Sequence, residues 1–138
     1  MKEFSHNKDY GLLVMRVIVG AIFMVHGYMK FTGAPGGIAF FDSIHLGSFW
    51  FYLVATVELV GGLSLIVGFG SKAAAMLLAI ISIVAAIKTG AAGKGISGYE
   101  YLFVLFGTTF GLSLIGPGRY SIGPSCGCPV GKCTSEKH

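Results

Sequence analysis

The sequence predicts an all-α integral membrane protein, a four-helix bundle running up-down-up-down with short loops. Three observations carry that reading. Of 138 residues, 54% are hydrophobic and only 12% are charged. The apolar residues gather in four continuous runs, and the basic residues sit singly at the ends of those runs. A soluble domain usually carries about 25% charged residues, and a chain this short could not hide so much apolar surface from water. The formal charge of +4 is scattered and forms no basic patch, which excludes nucleic acid as a partner. Membrane lipids are the expected surroundings.

The runs cover residues 11–31, 48–69, 73–87 and 101–115. At 1.5 Å per residue the first two reach roughly 30 Å, the thickness of the hydrocarbon core. The third is shorter, but Lys72 and Lys88 flank it and can snorkel outward. The fourth lies between Glu100 and the break Gly116-Pro117-Gly118. None alternates with period two, so helices are predicted and barrel strands are not. Turn-forming stretches at 32–37 (TGAPGG), 70–71 and 90–98 (GAAGKGISG) connect them, and connections that short make neighbours antiparallel. The opening MKEFSHNKDY is basic but lacks a small-x-small cleavage site, so the first run is expected to stay as an anchor.

Counting Lys and Arg gives the orientation. With the N-terminus inside, Lys2, Lys8, Arg16, Lys72, Arg119, Lys132 and Lys137 face the cytoplasm and Lys30, Lys88 and Lys94 face outward. The positive-inside rule then places both termini in the cytoplasm, in a multi-pass protein of the plasma (inner) membrane. The expected organisation is a cytoplasmic segment at 1–10, a membrane domain at 11–121 and a flexible cytoplasmic tail at 122–138.

Glu58 is the most informative residue, because it falls near the bilayer midplane, where a charge costs at least ~2.5 kcal/mol. It should face the interior, either paired or protonated. Arg16 is at a depth that makes an Arg16–Glu58 pair feasible; the alternative is that Arg16 snorkels to the headgroups. His26 and Lys30 share one face toward the outer end of the first helix. Lys88, Glu100, Tyr28, Tyr99 and Tyr101 fall at a similar depth. Two accounts fit this group: polar residues meeting headgroups, or a pocket opening outward with Glu58 at its floor. In the second, Glu58 and His26 are the candidate catalytic residues, His26 because an imidazole can take up and pass on a proton. Arg16, His26, Lys30, Glu58 and Glu100 are then the candidate cofactor-binding residues.

Cys126, Cys128 and Cys133 are the three cysteines, all in the tail. They are the candidate ligands of a soft metal such as Cu(I) or zinc, though their spacing is not a standard zinc pattern. The alternative is a tail with incidental thiols. Gly107 and Gly111 form a small-xxx-small pair, read mainly as packing within the chain.

The residues Arg16, Gly20, Phe23, His26-Gly27 and Lys30, then Glu58-x-x-Gly61-Gly62, then Gly116-Pro-Gly-Arg-Tyr-Ser121, resemble the DoxX family of small membrane proteins over about 11–121. The resemblance implies a four-helix membrane protein linked to redox processes, since relatives include a subunit of a thiosulfate:quinone oxidoreductase and a partner of detoxifying oxidoreductases. The chain departs from the family after Ser121, where it reads Ile122-Gly123-Pro124 and not an early acidic residue, and the cysteine tail is not a family feature. The function expected is a redox-linked subunit handling quinone or a small sulfur or thiol compound, with a soluble or membrane oxidoreductase as partner. The alternative is a non-enzymatic membrane anchor, assembly factor or chaperone. A transporter fits less well, because no inverted repeat or broken helix is present.

Overall fold

The computed structural model describes residues 2–91, 96–116, 118 and 120–122. Among them the chain is helical throughout: α1 (Lys2–Thr32), α2 (Ala34–Ser43), α3 (Gly47–Val67), α4 (Ser71–Ala91) and α5 (Ile96–Ile115). Three stretches are long and apolar enough to cross a membrane, Asn7–Thr32, Gly47–Val67 and Ser71–Lys88, while α5 carries a shorter apolar stretch at Glu100–Ile115. Large apolar side chains stay exposed around the outside, Ile18, Val60, Leu77 and Val104 among them. Such a surface is stable only in contact with lipid.

Among the described residues five helices stand where four were expected. The additional one, α2, starts inside the stretch 32–37 that reads as a turn. Pro35 occupies its first turn, where a missing N–H costs nothing because no intrahelical partner exists for it. Ten residues span only about 15 Å, too short to cross a bilayer. The helix lies on α3: Gly37 leaves room for the Phe51 ring, and Phe41 meets that ring edge-on at 5.3 Å. The expected turn at 90–98 is likewise narrower, since α4 runs to Ala91 and α5 begins at Ile96.

Glycines set how closely α1 and α3 approach. A Cβ on Gly20 would lie 2.6 Å from the Gly62 carbonyl oxygen, and one on Gly62 equally close to the Gly20 oxygen. Seven residues further along α1, a Cβ on Gly27 would lie 2.8 Å from the Ala55 oxygen, and Ala55 is seven residues earlier on α3. One chain ascends as the other descends, so the helices are antiparallel with a seven-residue repeat of close contact. Small residues also line α4, where Ala74, Ala75, Ala79 and Ala86 are buried. The core joins Val19 and Phe23 of α1, Leu65 of α3, Ala75 and Leu78 of α4, and Leu105 and Leu112 of α5. Buried hydroxyls bond within their own helices, Ser82 to the Leu78 carbonyl at 2.8 Å and Thr109 to that of Leu105 at 2.7 Å.

By contrast, a Cβ added to Gly107 or Gly111 would meet nothing within 4 Å, so the close packing expected of them within the chain is not made. Gly116, at φ +89°, closes α5 through its N–H to the Leu112 oxygen. Beyond it, residues 120–122 cross the end of α3, where the Ile122 N–H meets the Val67 oxygen at 3.5 Å. The Tyr120 ring rests 5.1 Å from that of Tyr10.

Candidate functional site

Glu58 lies near the middle of α3, on the face that carries Phe51, Ala55, Gly61, Gly62 and Leu65 inward. That spacing puts them on one side of a 3.6-residue helix. Its partner is Lys30, whose Nζ sits 2.6 Å from Oε1. By the α1–α3 register, Lys30 is level with residue 52, about 9 Å along the axis from Glu58. Helical side chains lean toward the N-terminus of their own helix. In an antiparallel pair, Lys30 therefore leans inward along α1 while Glu58 leans out along α3 to meet it.

The same lean separates Arg16 from Glu58, and the pair that their depths allowed is not formed. Arg16 leans away, toward the C-terminal end of α3, where it is 1% exposed. There Nε donates to the Leu65 carbonyl at 2.9 Å, one terminal nitrogen to that of Ile66 at 3.3 Å, and the other to that of Tyr120 at 2.9 Å. The Leu65 and Ile66 oxygens belong to a helix end that lacks intrahelical donors, and a cation there also meets the negative end of the helix dipole. Gly68, at φ +82°, follows closely, and any Cβ on it would strike the guanidinium. Arg16 thus ties α1, α3 and the returning chain together, about 15 Å along α1 from His26.

His26 flanks the Lys30–Glu58 pair. Its Nδ1 is 2.9 Å from the Ile22 carbonyl oxygen; a carbonyl can only accept, so Nδ1 carries a proton. The ring stacks on Tyr101 of α5, with centroids 5.7 Å apart. Glu58 is close enough to interact electrostatically with both residues. Its second oxygen, Oε2, is buried and has no hydrogen-bond partner among the described residues. A buried acceptor left unmet is costly, and such a group in a native structure calls for an explanation.

Of the other residues expected at this depth, Glu100 is exposed at the start of α5, Lys88 is half-buried near the end of α4, and Tyr28 turns outward at 63% exposure. The side chain of Tyr99 lies outside the described residues. Tyr101 is the residue whose part sequence reasoning undervalues: it counts there only as one of several aromatics at an interface, and only the packing of α5 against α1 reveals its contact with His26. No group of three or more His, Cys, Asp or Glu side chains among the described residues is placed to hold a metal. Cys126, Cys128 and Cys133 lie outside the described residues.

Several apolar helices and a partly buried ion pair between two of them define a polytopic membrane protein. The chain belongs to the DoxX family, whose model matches residues 11–91, the stretch from α1 to the end of α4. It is 38% identical over 122 residues to a Bacillus subtilis (strain 168) protein named "Putative oxidoreductase CatD", covering 86% of this chain and 90% of that one. It is 27% identical over 118 residues to the Escherichia coli (strain K12) "Inner membrane protein YqjF", covering 83% and 91%. No solved structure matches the chain.

Proposed function

We propose that this DoxX-family protein is a redox-linked subunit of the inner membrane that holds the polar head of a quinone-type or small thiol ligand against Glu58. The observation that carries this reading is the unmet Oε2 of Glu58, a carboxylate only 6% exposed, beside Lys30 and His26. In this account Lys30 fixes the carboxylate, Glu58 binds the ligand's hydroxyl or thiol, and His26 relays its proton outward. Electrons leave to a partner oxidoreductase. The name of the B. subtilis relative, "Putative oxidoreductase CatD", is consistent with such chemistry. Glu100, exposed at the same end, would meet the ligand only at the mouth of the site.

The membrane arrangement in this reading takes α5 as a fourth crossing, so that α1, α3, α4 and α5 run up-down-up-down with α2 lying along the surface. Both termini are cytoplasmic, and the Lys30–Glu58 site opens toward the outer leaflet. Purification in mild detergent followed by solvent extraction tests the proposal. Quinone should co-purify near stoichiometrically with the native protein and be lost from Glu58→Leu. If native protein carries none and binds neither added quinone nor added thiol, the reading fails, and the role of membrane anchor or assembly factor takes its place.

A further inference from the structure

The hydrogen-bonding groups left over at this site select one redox state of its ligand. Resting on the function proposed above, we infer that the site recognises the reduced, proton-bearing form, a quinol or thiol, in preference to the oxidised quinone or disulfide. Glu58 Oε1 is taken by Lys30, and Oε2 is buried without a partner. A carboxylate oxygen next to an ammonium only accepts hydrogen bonds. The neighbouring His26 has committed its Nδ1 proton to the Ile22 carbonyl, so in the neutral ring Nε2 is an acceptor as well. Both of these groups therefore call for a donor.

Lys30 retains hydrogens of its own, and its side chain is 25% exposed. A ligand hydroxyl can accept from Lys30 while donating to Oε2, and so meets both groups at once. A quinone carbonyl meets Lys30 alone and sets its lone pairs against those of the carboxylate, leaving Oε2 as unsatisfied as before. The Tyr101 ring, stacked on His26, gives a flat aromatic head a wall to lie against. Four side chains from three helices thus define the site: Lys30 and His26 from α1, Glu58 from α3 and Tyr101 from α5.

The test compares a decyl-substituted benzoquinone with its quinol. Partition is measured between protein-loaded and empty nanodiscs, kept anaerobic. Phosphatidylcholine is the lipid, because its headgroup carries no hydrogen-bond donor to compete. Satisfying a charged buried acceptor corresponds to a preference of about tenfold or more for the quinol. Glu58→Gln turns Oε2 into an amide position that can present N–H, so the preference should fall to about one or reverse. Binding of the quinone as tight as or tighter than the quinol in the native protein overturns the inference while leaving the proposed function standing. Binding of neither form overturns the inference, and the proposed function falls with it when an added alkanethiol also fails to bind. The native comparison needs no variant, so it decides the matter even if Glu58→Gln does not fold.

Discussion

Lys30 Nζ and Glu58 Oε1 meet at 2.6 Å from helix positions about 9 Å apart along the axis, and the contact exists because α1 and α3 are antiparallel. Were the helices parallel, both side chains would lean the same way and the gap would remain. The ion pair is thus a consequence of topology as much as of composition. It holds the carboxylate in a place where Glu58 lies close to His26 and Tyr101.

Breaking the pair from one side should cost more than removing it altogether. Lys30→Met leaves a buried carboxylate uncompensated, and Glu58→Ala leaves an ammonium so. Each should destabilise the bundle toward the lower end of roughly 3–5 kcal/mol, because Lys30 is partly exposed. The double Lys30→Met, Glu58→Leu should recover much of that loss. Thermal unfolding in detergent reads all three, and a double variant as unstable as the worse single one would show that more than the pair is at stake.

Arg16 should resist its usual substitute. Lysine carries the charge but not the fork that reaches the Leu65, Ile66 and Tyr120 carbonyls together. Arg16→Lys should lose about 1.5–3 kcal/mol, and amide exchange at Ile122, which bonds to Val67 across the same helix end, should quicken. An unchanged exchange rate at Ile122 would detach the returning chain from Arg16.

Two glycine-to-alanine changes should part cleanly. Gly62→Ala drives a methyl into the Gly20 carbonyl and should cost about 1–3 kcal/mol through a forced shift of α1. Gly107→Ala meets open space and should be neutral or slightly stabilising, since alanine favours helix by up to about 1 kcal/mol. Equal melting temperatures for the two variants would contradict the close α1–α3 approach.

Much of this was legible in the chain. The membrane class followed from apolar runs that no soluble fold could bury, and Glu58 stood out because a carboxylate so deep in an apolar run demands a partner. The identity of that partner is less legible. Depth alone brings Arg16 within reach of Glu58, and side-chain lean, which a hydropathy reading ignores, sends Arg16 to the helix end and Lys30 to the carboxylate. The α2 helix was hidden for a similar reason: Ala34-Pro35-Gly36-Gly37 has turn composition, yet proline is welcome in a first turn, and only the Phe51 ring of α3 explains why a small residue is needed at Gly37. Tyr101 could not be singled out at all, because its contact joins α1 and α5, which are far apart in the chain.

The proposed orientation rests on the count of basic residues and is checked by reporter fusions. A fusion after His138 should report cytoplasm, and one inserted between α4 and α5 should report the exterior. The reverse pattern would turn the Lys30–Glu58 site toward the cytoplasm.

The central claim is that a ligand's polar head lies against Glu58, and photolabelling locates it most directly. An azido-substituted quinone in proteoliposomes, reduced to its quinol before illumination, should attach mainly to the peptides bearing His26 to Lys30 and Tyr101. Excess unlabelled quinol should suppress that labelling, and Glu58→Gln should weaken it several-fold. Labels spread evenly over lipid-facing positions such as Phe69 and Ile115, and indifferent to Glu58→Gln, would contradict it.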